Sequence, residues 1–501
     1  MTASSPSQAR KVRTRGASPR PGDERRAAAR HLAADRPAPF FVRGDATCAS
    51  VSREHVAATV DVPETADTDT ATPAPRLPRR HRRILTRRVA AVVALCLAWP
   101  SVSASQSDIG SPAGLLQDTD VRTALEAVRA AEPGTLADQA RICEIPAPPF
   151  AEQARAEAYA RMFREVGLRN VRLDREGNVL GERQGRAARP HVVVSAHLDT
   201  VFPEGTDVTV ARTGRVLRGP GIGDDCRGLA VLLAVARALD VAGIQTPGTI
   251  TFVGTVGEEG LGDLRGVKAL FNDTLRGRVD RFVSIDGGGY AITHIGIGSR
   301  RLRVAFTGPG GHSYSDFGRA NPAHALGRAL AGIAEIRVPR DTRSTFSVGR
   351  IGGGTSVNAI PTEAWMEVDL RSGVASSLDG LEQAVRQATE RALAAENERW
   401  SQNGRLSLSL TPIGERPPGR TPESSVTVRV ARAVTESLRL PLFLEAGSTD
   451  ANLPMSLGIE AIAVGGGGIG TGAHTEAEAF DPLDSWRGTQ RALLLTIGLA
   501  R

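Results

Sequence analysis

The chain has 501 residues with 62 Lys and Arg against 55 Asp and Glu, a formal net charge of +7, and 41% apolar residues. That length predicts more than one domain and ample core. Residues 1–88 hold 18 of the basic and 9 of the acidic residues, leaving 44 against 46 elsewhere, so the main body gives no electrostatic reason to bind nucleic acid.

Residues 1–80 are rich in Ala, Arg, Pro, Ser and Thr without apolar periodicity, and read as a disordered leader or as sequence upstream of the true start. Residues 81–104 read as an export signal: basic HRRILTRR, an apolar stretch from Val89 to Ala98 closed by Pro100, and the small-residue cleavage site Val102-Ser103-Ala104. About ten apolar residues are too few for a bilayer core of ~30 Å. The expectation is a cleaved signal, an exported protein, periplasmic or secreted, and no stable membrane span afterwards. Cys143 and Cys226 then remain, too few for a disulfide framework, with one bridge between them conceivable.

Residues 118–299 predict the first part of an α/β domain. Helical patterning starts near Ala124, breaks at EIPAPP and resumes in AEQARAEAYARMFREVG, which Gly167 ends. Strand and helix signals then alternate, with GLAVLLAVARALDVAG the clearest helix, as in a mixed, largely parallel sheet covered on both faces. Residues 300–411 change character. RRLRVAFTG, STFSVGRI, EAWMEVDLRS and RLSLSLTPI read as strands, and NPAHALGRALAGIAEI and LEQAVRQATERALAAENERW as helices. Their order, strand-helix-strand-strand-helix-strand, predicts an inserted ferredoxin-like α+β domain. Residues 412–501 return to helix, glycine-rich loop, strand and helix, so the α/β domain is discontinuous.

Five short segments end in metal-type ligands: His197 with Asp199 in SAHLDT, Asp224 in GPGIGDDCRG, Glu258 and Glu259 in VGEEG, Asp286 in SIDGGG, and His474 in GAHTE. Most follow an apolar run of strand character, such as HVVVSA, TITFVGTV, RFVSI or EAIAVG. Open α/β sheets place their sites at such strand ends. Imidazole mixed with carboxylate suits a pair of zinc ions, with cobalt or manganese as alternatives.

From about Leu136 to the C-terminus these segments resemble the zinc exopeptidases and amidohydrolases of metallopeptidase family 20, which includes peptidase T, carboxypeptidase G, acetylornithine deacetylase and aminoacylase. GDD, GEEG and IDGGG lie nearest the peptidase T-like branch. The resemblance implies that Asp224 bridges two zinc ions, with His197 and Asp286 completing one site and Glu259 and His474 the other; Asp225 is the competing bridge. It implies that Glu258 is the general base, taking a proton from a bridging water or hydroxide and passing it to the leaving amine. Asp199 should accept the second ring N–H of His197.

In the inserted domain, the resemblance implies that His312 of GPGGHSYS reaches a partner subunit's site to stabilise the oxyanion. It also implies that Asn358 of GGTSVNAIP and Arg371 of DLRS bind the substrate's carbonyl or carboxylate. The inserted domain would then act as lid and as the joint of a homodimer. One departure is Cys226, which stands where the family's Asp-Asp-Lys-Gly has lysine and sets a thiol beside zinc. The function so implied is an exported aminopeptidase of di- or tripeptidase type acting on short peptides. The alternative, with the same metals and base, is a deacylase of N-acylated amino acids or a carboxypeptidase. A non-catalytic relative would have lost a ligand or the base, and all are present.

Overall fold

The structure, a computed structural model, describes residues 112–338, 342–400 and 404–501. The expected leader and export signal, residues 1–104, lie outside the described residues. The first half of the larger domain opens with α1 (Thr119–Ala130), capped by Asp118, then α2 (Glu132–Cys143) and α3 (Gln153–Glu165). Next come β1 (Arg169–Leu173), β2 (Val179–Arg183) and β3 (His191–His197). Helix α4 (Cys226–Val241) leads to β4 (Thr249–Thr255), β5 (Arg281–Ile285) and β6 (Ala291–Gly296).

The inserted domain follows as β7 (Gly298–Thr307), α5 (Pro322–Ala334), β8 (Ser344–Gly353), β9 (Glu363–Ser372), α6 (Ala375–Arg399) and β10 (Ser407–Arg416). The chain then re-enters the larger domain with β11 (Gly419–Arg420), α7 (Val426–Ser437), β12 (Phe443–Gly447), β13 (Glu460–Val464) and α8 (Trp486–Leu499).

Nine strands form the large sheet in the order β1-β2-β4-β3-β5-β13-β6-β11, with β12 beside β6. Its centre, β4-β3-β5-β13, is parallel, and antiparallel strands flank it. Every residue of β3 is buried, because a central parallel strand meets a packed layer on each face. Val192 and Val194 pack with residues of α3, α4 and α8, while Val193 and Phe282 on the opposite face meet Leu264, Leu270 and Leu453. Parallel alignment puts the carboxyl ends of β3, β4, β5 and β13 along one edge. The loops leaving that edge carry the polar motifs.

The smaller sheet runs β8-β9-β7-β10, antiparallel throughout, which with its two helices is the ferredoxin-like arrangement. Leu302, Val304, Phe306, Met366, Val368 and Leu370 bury against α5 and α6, as the two-residue period of a strand requires. The alternate residues, among them Arg301, Asp369 and Arg371, belong to the other face. Arg371 and Arg416 both stand in register with Ser299, so three strand ends lie side by side where the chain enters and leaves this domain. Among the described residues, no helix is long and apolar enough to cross a membrane.

Candidate metal centre

Each ligand candidate sits on or just past the carboxyl edge of the parallel strands. His197 ends β3, Glu258 and Glu259 follow β4, Asp286 follows β5, His474 lies beyond β13, and Asp224 precedes α4. The competing aspartate, Asp225, has a different task. Fully buried, it caps α4 by accepting the N–H of Gly228 at 2.9 Å, and it also takes the N–H of His197 at 3.1 Å and of Gly287 at 3.0 Å. Those three bonds knit the loops of three ligands together and turn Asp225 away from the cavity.

Asp224 faces the cavity instead. Its Oδ1 lies 2.9 Å from His197 Nε2 and its Oδ2 3.3 Å from His474 Nε2, while Glu259 Oε1 is 2.9 Å from the same His474 nitrogen. Donor atoms converge in two triads, His197–Asp224–Asp286 and Asp224–Glu259–His474, which share Asp224. A third grouping draws Glu258 in with His197 and Glu259.

The electrostatics are those of an anionic cluster seeking cations. Burial and the Asp224 charge push Asp286 up to about 7. Hydrogen bonds that the His474 ring donates to Asp224 and Glu259 push it up to about 10. His197 is held well above its usual value although burial opposes this, because it bonds to Asp224 and faces Asp225. In each histidine a proton at Nε2 takes the direction a metal ion would take. The residues therefore fit two cations: two imidazoles and three carboxylates, of which Asp224 is common to both sites.

Support around the ligands differs from the sequence expectation in one respect. His197 Nδ1 meets the backbone carbonyl of Asp199 at 3.0 Å, and its distance to the Asp199 carboxylate is 3.8 Å. That carboxylate instead accepts the N–H groups of Glu258 at 3.0 Å and Glu259 at 2.8 Å. Asp199 thus fixes the His197 tautomer through its main chain and braces the Glu258–Glu259 turn through its side chain.

Two further supports have no counterpart in the sequence reading. Glu478 accepts the N–H groups of Gly221, Gly223 and Asp224, each within 2.9 Å. Arg416 bonds Glu258, with Nη1 3.0 Å from Oε1. Both partners lie far away in the chain, and no local pattern announces them. Cys226 does not join a ligand group; it is buried against Cys143, whose thiol burial and this contact push up, and Cys143 Sγ is 3.3 Å from the Pro220 carbonyl.

The ligands open into a cavity of about 470 Å³ whose wall includes Glu258, Arg301, Arg371 and Arg416. Asp369 pairs with Arg301 at 3.1 Å and with Arg371 at 2.7 Å. Gly447, Ser448 and Thr449 also line the cavity, so the segment GSTD reaches it. His312 and Asn358 do not line it. His312 is exposed, its Nδ1 accepting the N–H groups of Tyr314 and Ser315, and Asn358 bonds only its neighbour Ser356 by side chain among the described residues.

A shared carboxylate between two histidine-bearing triads, on the carboxyl edge of a parallel sheet and in a cavity whose wall a second domain helps to form, defines a metal-dependent hydrolase. The chain belongs to peptidase family M20/M25/M40, whose profile matches residues 193–497. A succinyl-diaminopimelate desuccinylase from Leptothrix cholodnii is 26% identical over 66% of this chain and 88% of its own. The fold is similar to that of aminopeptidase PepT from Bacillus cereus, with TM-score 0.59, 19% identity, and coverage of 73% of this chain and 98% of that one. It is likewise similar to YXEP from Bacillus subtilis, a dinuclear metal-binding peptidase, with TM-score 0.56, 17% identity, and coverage of 74% and 98%.

Proposed function

We propose that the protein is an exported two-zinc aminopeptidase acting on short peptides, with Glu258 as the residue that moves the proton. The observation that carries this reading is the pair of triads sharing Asp224, with the Glu258 carboxylate converging on His197 and Glu259. When bound, the metal pair would polarise the substrate carbonyl and acidify the attacking water. Imidazole and carboxylate donors favour zinc, with cobalt and manganese the alternatives.

The chain's own residues supply the rest. Glu258 is buried, and burial pushes its carboxyl well above the usual range, with Arg416 opposing and Glu259 adding to the rise. A carboxylate so placed accepts the water's proton and returns it to the leaving nitrogen. Arg371 presents a half-exposed guanidinium to the cavity, suited to a substrate carboxylate. His312 is read as serving the site of a second copy, in a homodimer joined through the inserted domain. The exposed Tyr314, Phe317 and Val357 beside His312 and Asn358 support a surface that meets another.

A second reading, hydrolysis of N-acylated amino acids, is favoured by the desuccinylase relative. A zinc-loaded preparation offered a free tripeptide and its N-acetylated twin, with products followed by mass spectrometry, separates the two. Release of the N-terminal residue from the free peptide alone supports the aminopeptidase. Release of acetate, or cleavage of the blocked peptide alone, replaces it with the deacylase or carboxypeptidase. Sequencing the N-terminus of the mature protein tests the export reading, which residues 1–80 still in place would refute.

A further inference from the structure

The root of the inserted domain grips the turn that carries Glu258. Arg416, the last residue of β10, is 4% exposed, and its Nη1 lies 3.0 Å from Glu258 Oε1 and 3.2 Å from Ser448 Oγ. Its Nη2 donates to the Glu258 carbonyl. Among the described residues no other group donates to the Glu258 carboxylate. Arg301 of β7 donates to the Gly260 carbonyl, and Lys268 reaches back to the Glu415 carbonyl at 2.8 Å. Side chain and main chain of one short turn are thus held from the strand ends at which the inserted domain begins and finishes.

The arrangement is a poor device for stability alone. Arg416 Nε is buried without a hydrogen-bond partner, and a buried ion pair with incomplete hydrogen bonding returns little of its desolvation cost. Geometry explains it better. A glutamate has three side-chain torsions, and a proton acceptor must be held to within a fraction of an ångström of its working position. A planar guanidinium that binds both the Oε1 and the carbonyl of one residue fixes those torsions.

We propose that Arg416 is a positioning residue that aims Glu258 into the cavity and, because it ends the last strand of the inserted domain, makes that aim depend on how that domain sits over the site. This rests on the reading of Glu258 as the proton carrier given above. Arg416 then acts through Glu258 and not on substrate, which makes its effect conditional on Glu258 being present.

The test is steady-state kinetics on the zinc-loaded full chain, using the peptide substrate, for wild type, R416Q, R416K, E258Q and the R416Q/E258Q double variant. Metal content and unfolding midpoint are measured alongside. R416Q is expected to lower kcat by about 10–100-fold with KM within about twofold of wild type and both metals retained, R416K recovering part of the loss. Adding R416Q to E258Q is expected to change the residual rate by less than about twofold. A raised KM with unchanged kcat, or an equal loss in both backgrounds, overturns the proposal. If R416Q does not fold, the same cycle run with R416K decides by the same criteria. A fully active E258Q marks the failure of the Glu258 reading itself, whereas an inactive E258Q beside an active R416Q marks the failure of this inference alone.

Discussion

The carboxylate of Glu478 holds the backbone N–H of Asp224 at 2.9 Å, and with it the N–H groups of Gly221 and Gly223. Glu478 stands one short turn beyond His474, so a single buried side chain fixes the loop that presents the shared carboxylate relative to the loop that presents the last histidine.

Glu478→Gln replaces one accepting oxygen with a donor facing those N–H groups. Supporting partners of this kind are typically worth about 10–100-fold in metal affinity. The expected result is a loss of that size in competition titrations against a chelator, with smaller change in the rate of the fully loaded enzyme. Unaltered affinity would show that the loop keeps its shape without Glu478.

Asp199→Asn should act on the other side of the centre, because the Asp199 carboxylate accepts from both Glu258 and Glu259 main-chain nitrogens. Losing one charged acceptor under Glu258, the proposed base, and Glu259, a candidate ligand, is expected to lower kcat about 10–100-fold and to weaken binding of one metal. The check is stoichiometry by elemental analysis together with turnover at saturating zinc. Two metals tightly held at normal rate would contradict it.

Arg227 is fully buried; it donates to the Gly466 carbonyl at 3.0 Å and the Ser485 carbonyl at 2.8 Å, and pairs with Glu132 at 3.2 Å. Arg227→Leu leaves the buried Glu132 carboxylate without its charge partner, with only the Ser485 hydroxyl, among the described residues, still donating to it, which costs on the order of 3–5 kcal/mol. Denaturant unfolding measures this directly. Because Gly466 belongs to the loop that runs to His474, weaker metal binding is expected alongside.

His191, at the amino end of β3 and remote from the ligands, tests the pH behaviour of the scaffold. Burial holds its imidazole below the usual value, against the bond to the Arg278 carbonyl and the Asp280 charge. A group lowered in the folded state gives stability that is complete above the unfolded value of about 6.5 and is lost as pH falls through it. The unfolding midpoint of metal-loaded wild type should therefore decline more steeply on acidification from about pH 7 to about pH 5 than that of His191→Asn. Parallel curves would assign the decline to other groups.

Chelation should lower the unfolding midpoint without abolishing the fold, and added zinc should restore it. A ligand bound only by the native state stabilises by about 2.7 kcal/mol at 100 times its Kd. A midpoint indifferent to zinc after chelation would argue against a built metal site.

Much of the site was legible in the sequence because most of the candidate ligands follow an apolar strand run within a few residues, as His197 follows HVVVSA, Glu259 follows TITFVGTV and Asp286 follows RFVSI. The ferredoxin-like insertion was legible for the same reason: strand and helix periods are local. What escaped is the bracing. Glu478 serves a loop 257 residues earlier, and Arg416 binds a glutamate 158 residues away. Neither distance leaves a periodic trace. Asp199 was seen but given a different bond, since spacing shows that a carboxylate is near a histidine without showing that the next loop offers it two better donors.

The insertion of β7–β10 between the segments bearing Asp286 and His474 also governs the order in which the centre can come into being. During chain growth, His197, Asp224, Glu259 and Asp286 emerge first, an unclosed set of three carboxylates and one imidazole. The second triad waits until the whole inserted domain has been made and the chain has returned through β13. A product truncated within the inserted domain would carry four of the five candidate ligands yet lack His474, so the second triad attests that the chain has been made past the inserted domain and β13.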